Sequence, residues 1–167
     1  MDEIVDGALK EPQIKTIVTK AVYGRSVQTC QTTVYIGIGE DKKPSQVLGC
    51  AITGAKTEKC FFEEGEKAGD RVRVNGCFEV HVWYELEGDT RVSKADAHFS
   101  DLITVTNTEE EHYKNETIYA WISKKPKFIG SMIVMKGGSP AISVQVEYEL
   151  TIEIIGETRL NVVAYPT

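Results

Sequence analysis

The sequence lacks the features of membrane, exported and helical proteins. No window approaches the roughly 20 consecutive apolar residues that a membrane-spanning helix needs. Residues 1–6 are acidic where a signal peptide is basic, and no long apolar segment follows them. No segment repeats its apolar positions with the 3.6-residue period of a helix. We therefore expect a β-rich protein that is made in the cytosol, has no signal peptide and does not insert into membranes.

Motifs for catalysis and cofactor binding are missing as well. The sequence has no phosphate-binding loop, no dinucleotide fingerprint and no nucleophile elbow. Its 19 Lys and Arg against 25 Asp and Glu give a net charge of −6. The one tight basic cluster, residues 124–127, has the composition of a turn. We predict no enzyme activity, no cofactor and no nucleic-acid partner.

The size and composition are those of one globular domain. The chain has 167 residues, of which 41% are hydrophobic and 26% charged. Residues 1–13 show no clear periodicity, yet they contain Ile4, Val5 and Leu9, which is unusually apolar for a solvated tail. We predict an N-terminal arm over 1–13 that reaches a neighbouring subunit, followed by a single all-β domain over 14–167.

Apolar residues alternate with polar ones through most of residues 14–165. The clearest alternation runs over 71–86 and 142–155, and Glu87-Gly88-Asp89-Thr90 predicts the turn of a long hairpin. Shorter β-type segments, among them 14–23 and 27–38, lie between turn signals at Gly24, 54–70, 107–115, 124–127, 137–140 and 156–157. The pattern predicts an antiparallel β-sandwich or a partly open barrel of about 8–10 strands.

The four cysteines lie in the first half of the chain and are widely spaced. They are Cys30, Cys50, Cys60 and Cys77. Without a C-x-x-C pair they predict neither a zinc knuckle nor a thioredoxin-type site. Cys50 lies within the short apolar run 47–52, which follows Pro44 and is typical of a covered strand, so we interpret it as a packing thiol.

Two groups of residues suggest a metal site or a catalytic thiol–imidazole pair, but only weakly. Cys77, Glu79 and His81 fall on one strand face, but residues two apart are roughly 7 Å apart, so a metal site is less favoured than an ordinary polar face. A thiol–imidazole pair could form between Cys50 or Cys77 and one of two histidines, His81 and His98. We expect no metal at these positions.

Aromatic residues leave a binding module open as the alternative function. Tyr35, Trp83 and Trp121 all lie on predicted β segments. Aromatic side chains at such positions can stack against sugars, although they more often serve a core or an interface. The alternative to a structural role is therefore a β-sandwich that binds a ligand or carbohydrate.

Three blocks in order give the sequence a resemblance to a known family. They are residues 43–50 (KPSQVLGC), 80–84 (VHVWY) and 155–159 (IGETR), with 17–22 (IVTKAV) as a further similar segment. The sequence resembles the CotE family of outer spore-coat morphogenetic proteins from endospore-forming bacteria, over roughly residues 14–165. Each block is weakly specific, and their common order and spacing make the resemblance more specific.

The resemblance implies a non-enzymatic structural protein that forms homo-oligomers such as rings, filaments or sheets. It also implies synthesis in the mother-cell cytoplasm, deposition on the spore coat, and contacts with other coat proteins. The family pattern continues into an acidic tail for partner recruitment, whereas this sequence ends at Pro166-Thr167. Self-assembly is therefore the firmer expectation. In that setting Cys30, Cys50, Cys60 and Cys77 are candidates for crosslinking or packing.

Overall fold

A computed structural model describes residues 11–63, 70–106 and 114–166, and within them the chain forms six strands and no helix. No described segment is therefore a helix that could cross a membrane. The strands are β1 (Gln13–Gly37), β2 (Gln46–Phe62), β3 (Asp70–Leu86), β4 (Asp89–Val105), β5 (Lys114–Lys136) and β6 (Ser139–Ala164).

The strands form two three-stranded antiparallel sheets packed face to face. The first sheet has the order β1-β6-β5 and the second β2-β3-β4, so β6 and β3 are the central strands. At the sides of the sandwich β1 lies beside β4, and β2 lies beside β5. The predicted all-β class is confirmed, and of its two forms the structure is the sandwich.

The core lies between the inward faces of β6 and β3. Alternate residues of each strand are buried, because a strand directs successive side chains to opposite faces. Each buried aliphatic or aromatic side chain stabilises the fold by about 1.5–3 kcal/mol. The fully buried residues of the two central strands include Val72, Val74, Val80, Val82, Ile142, Val144, Val146, Leu150, Ile152 and Ile154.

The described strands are fewer and longer than the sequence pattern predicts. Two predicted strands merge in β1, where a bulge at Tyr23 inserts one residue between the partners of Ile154 and Ile155. The predicted turn at Gly156-Glu157 is wrong. These residues pair with Ala21 and Lys20 in a continuous ladder, so the ladder to β1 holds them extended.

Two further predicted breaks are wrong for a common reason. β2 continues through residues 54–62, and β5 continues through 124–127. In each case the register shifts: Gly54, at φ 64°, lies in one bulge and Pro126 in another. A bulge accommodates a left-handed glycine or a proline without a free N–H while the strand goes on.

The two hairpin turns that the sequence predicts are confirmed. Glu87 and Gly88 have φ of 53° and 86° between β3 and β4, and Gly137 and Gly138 have 61° and 82° between β5 and β6. Positive φ at both central residues is the geometry that matches the twist of a two-residue hairpin. These turns fix the registers of β3 with β4 and of β5 with β6.

Candidate functional site

The outer ends of β1 and β6 form a two-stranded ribbon. Residues 13–19 pair with 158–164, and the ladder is unbroken from Gln13 opposite Ala164 to Val22 opposite Ile155. The ladder of β5 reaches only as far as Glu157, and β4 ends at Val105, close to Gly24. Within the described ranges, no third strand pairs with the ribbon.

The ribbon is apolar on both faces and exposed to solvent. Ile14 is 75% exposed and Val18 63%. An isolated pair of strands is marginally stable in water, and clustered exposed apolar side chains mark interaction sites. The other exposed apolar residues of the ribbon and its base are Ile17, Val22, Leu160, Val163 and Tyr165.

The side of the sandwich between β2 and β5 is closed by side chains. The Thr57 hydroxyl donates to the Ala120 carbonyl at 3.2 Å, and the Cys60 thiol to the Ile118 carbonyl at 3.7 Å. Both strands also carry several register shifts. Bulges and covered carbonyl groups make a strand edge a poor template for pairing with another chain.

Cys30 is a packing thiol. It is buried in the core beside β6, and burial raises its pKa to about 12, with Asp101 as the second cause. The Tyr148 hydroxyl donates to Asp101 Oδ2 at 2.5 Å, which links the two sheets. Burial, followed by this hydrogen bond, also raises the pKa of Tyr148. The thiol stays protonated and unreactive near neutral pH.

The other three thiols lie nearer the surface. Cys50 and Cys60 pack against the edge of the core, and burial raises the pKa of each. Cys77 is on the outer face of β3, where its thiol donates to Glu58 Oε1 at 3.4 Å. Desolvation, then that carboxylate, raises the pKa of Cys77. All four cysteines are free thiols.

The outer face of β3 and β4 brings Cys77 beside His98, one of the thiol–imidazole pairs that the sequence suggested, but the hydrogen bond of the Cys77 thiol goes to Glu58. His81 Nε2 is 2.5 Å from Glu79 Oε1 and lies opposite Lys94, whereas His98 lies opposite Cys77. A shallow open depression of about 380 Å³ includes Cys77, Glu79 and His98 in its lining. Among the described residues, no three His, Cys, Asp or Glu side chains are arranged to hold a metal ion.

One comparison with known proteins decides the family. The family model for outer spore coat protein E (CotE) matches residues 13–167, nearly the whole chain. The chain belongs to the CotE family. Searches of curated proteins and of solved structures found no match. The resemblance is thus confirmed, and membership assigns the chain to a family of structural proteins of the outer spore coat.

The CotE family match begins at Gln13, the first residue of β1. The ribbon therefore lies within the range that the family model matches, whereas most of the predicted arm precedes that range. Ile4, Val5 and Leu9 of that arm lie outside the described residues. The β1–β6 ribbon is consequently the candidate functional surface of this CotE-family chain.

The aromatic residues that suggested a ligand platform do not converge. Trp83 is in one sheet, while Tyr35 and Trp121 are in the other. Tyr35 lies opposite Ser143 and Trp121 opposite Thr151, so eight residues of β6, roughly 26 Å, separate their rows. Lys136 Nζ also covers the Tyr35 ring at 3.8 Å. Nothing in this geometry favours a carbohydrate-binding module.

The ribbon is the feature that sequence reasoning missed. Its signal is present, because Ile14 and Val18 alternate with Ile17 so that both faces of the strand carry apolar side chains. That pattern is also typical of a strand covered on both faces. Only the packed structure shows that, in the part of the chain it describes, the covering strand β4 ends near Gly24.

Proposed function

We propose that this CotE-family chain is a non-enzymatic structural protein that self-assembles and acts as a scaffold in the outer spore coat. The observation that supports self-assembly is the ribbon, in which Ile14, Val18 and Val163 remain exposed on a strand pair without a third strand. Burying those side chains against another molecule is favourable by about 25 cal/mol per Å² of apolar surface.

The family suggests where the assembly forms and what else it contacts. We propose that the chain is made in the mother-cell cytoplasm, joins the spore coat and contacts other coat proteins there. We also propose that the arm formed by residues 1–13 reaches a neighbouring subunit, with Ile4, Val5 and Leu9 as its apolar contacts. Deleting residues 1–12 leaves β1 intact, and unchanged assembly of that variant would contradict a role for the arm.

The thiols divide into two groups for crosslinking between subunits. Cys30 is buried in the core and serves packing. Cys77, on the outer face of a central strand, is the candidate for a crosslink once the coat becomes oxidising. Cys50 and Cys60 are half-buried packing thiols of the sheet edge.

Assembly can be measured directly on the purified chain. Light scattering coupled to size-exclusion chromatography, over a range of concentrations, is expected to show mass rising with concentration. Negative-stain microscopy of the same fractions is expected to show regular rings, filaments or sheets. A sharp monomer peak at the highest concentration, with no particles on the grid, would refute self-assembly.

A further inference from the structure

The free edge of β1 is a more regular strand edge than those of β2 and β5. β1 is an edge strand of its sheet, it pairs with β6 alone among the described strands, and its register shifts once, at Tyr23. Residues 13–22 therefore present ten consecutive extended residues along an edge that no described strand covers. Such an edge is a template for pairing with a strand from another molecule.

The exposed apolar residues on one face of this edge have a two-fold symmetric spacing. Ile14, Val18 and Val22 are four residues apart, lie on one face of β1 and are all exposed. If two copies of the strand pair antiparallel with Val18 opposite itself, Ile14 of each copy lies opposite Val22 of the other. The three residues then form one apolar stripe that crosses the contact.

The charges are compatible with the same register. The edge carries two lysines, Lys15 and Lys20. With Val18 on the axis, Lys15 lies opposite Ala21 of the second copy and Lys20 opposite Thr16. No lysine faces another lysine, and like charges directly opposite would destabilise a strand pair.

The area that this pairing covers predicts a weak contact. A stable dimer typically buries about 800 Å² per partner, and one strand edge of nine residues supplies less. The exposed apolar side chains of the ribbon have an area on the order of several hundred Å² together. They add to the buried area only where the two joined sheets bring them into contact. The contact is thus too weak to hold an isolated dimer firmly, and it suits an assembly in which each copy makes several such weak contacts.

We propose that the partner of this edge is a second copy of the chain. Residues 14–22 of two copies pair antiparallel about Val18 and join two three-stranded sheets into one sheet of six strands. This inference rests on the proposed self-assembly and identifies its interface. The contact is isologous, so any larger lattice requires a second interface elsewhere on the molecule.

Engineered disulfides test the register. In a Cys77→Ser background, Val18→Cys places two thiols opposite each other, with Cα atoms about 4.5–5.5 Å apart, within the range of a disulfide. Thr16→Cys is the matched control on the same face, because the Thr16 residues of two copies would be four positions, roughly 13 Å, apart. Mild oxidation is expected to give a disulfide-linked dimer with Val18→Cys and little with Thr16→Cys.

A second pair of variants tests the edge without crosslinking. Val18→Lys places two charges on the axis and is expected to reduce the assembled fraction at least several-fold. Val27→Lys, at another exposed valine of β1 outside the contact, is expected to leave it unchanged. Unfolding curves of each variant establish that the fold is retained.

The outcomes separate the interface from the proposed function. If the parent chain assembles but Val18→Cys crosslinks no better than Thr16→Cys, or Val18→Lys assembles like Val27→Lys, the interface is wrong and self-assembly stands. That result would favour one of the alternative partners for the β1 edge, namely the N-terminal arm or another coat protein. If the parent chain remains monomeric, both proposals fall.

Discussion

Gly76 is the position at which one added methyl group tests the packing of the two strands beside it. It lies in β3 opposite Phe99 of β4, whose ring covers it. A Cβ at Gly76 would lie 2.2 Å from Phe99 Cζ and 2.5 Å from the Lys56 carbonyl oxygen. The ring can turn only by disturbing Tyr148, whose ring centroid is 4.7 Å from that of Phe99.

The Gly76→Ala variant is therefore expected to be strongly destabilised. Overpacking a core costs about 1–3 kcal/mol, and the contact with a backbone oxygen places this variant near 3 kcal/mol. For a domain of this length, each kcal/mol lowers Tm by about 2–4 °C, so a fall of about 6–12 °C is expected.

Thermal unfolding followed by circular dichroism measures this difference, and Gly49→Ala is the matched control. Gly49 lies in β2, paired with the same central strand, and a Cβ there would meet no atom within 4 Å. Alanine favours strand geometry over glycine by about 0.5–1 kcal/mol, so the control is expected to be neutral or slightly stabilised. A Gly76→Ala variant as stable as Gly49→Ala would refute the placement of Phe99 and Lys56.

Three further predictions concern the polar link between the sheets and the thiols. Tyr148→Phe leaves Asp101 without its hydroxyl partner and is expected to lower the free energy of unfolding by about 1–3 kcal/mol in urea; an unchanged midpoint would contradict that link. Because Cys30 has its pKa raised from 9.0 to about 12, the folded state retains a proton that the unfolded state releases. The contribution of Cys30 to the free energy of unfolding is thus fully present below pH 9 and is lost as pH rises toward 12. In unfolding curves, the free energy of unfolding of Cys30→Ala is expected to decrease less steeply over this pH range than that of the parent chain; equal slopes would refute this linkage. Maleimide labelling followed by peptide mass spectrometry is expected to modify Cys77 first and Cys30 last, and equal rates would exclude the assigned burial.

The parts of the fold that the sequence predicts well are those governed by local periodicity. β3 alternates from Val72 to Leu86 because one of its faces is in the core and the other is not. The hairpin after it is equally local, since Gly88 supplies a positive φ that other residues adopt reluctantly. Such features follow from a few neighbouring residues, and no distant partner is needed to predict them.

The errors in strand boundaries have a tertiary cause. Pro126 and Gly156 are turn-forming residues by composition, yet both lie inside long strands. Pro126 is accommodated by a bulge, and Gly156 is paired with Ala21 of a strand more than 100 residues away. Whether a glycine or proline ends a strand depends on the ladder beside it, which the local sequence does not contain.

The candidate site could not be derived from the sequence for a related reason. Alternation shows which face of a strand is apolar, whereas exposure depends on how far the opposite sheet extends. Here the described part of the second sheet ends, in β4, at Val105, and a Cβ on Gly24 would come within 2.8 Å of Val105 Cγ1. Beyond that close approach β1 and β6 continue together, and the same kind of residue that fills the core is left at the surface.

The distribution of edge protection argues that this exposure is functional. The β2 and β5 edges combine bulges, Pro126 and side-chain bonds to carbonyl groups, which are the devices that prevent unwanted strand pairing. The β4 edge alternates Lys94, Asp96 and His98 on its exposed positions, so charge protects it. The outer half of β1 has neither bulges nor acidic residues, and the three exposed apolar side chains on one of its faces, Ile14, Val18 and Val22, are spaced symmetrically about Val18. Among the described strands, three sheet edges are protected and the fourth is apolar, which argues for a partner at the fourth edge. The symmetric spacing about Val18 favours a second copy of the chain as that partner.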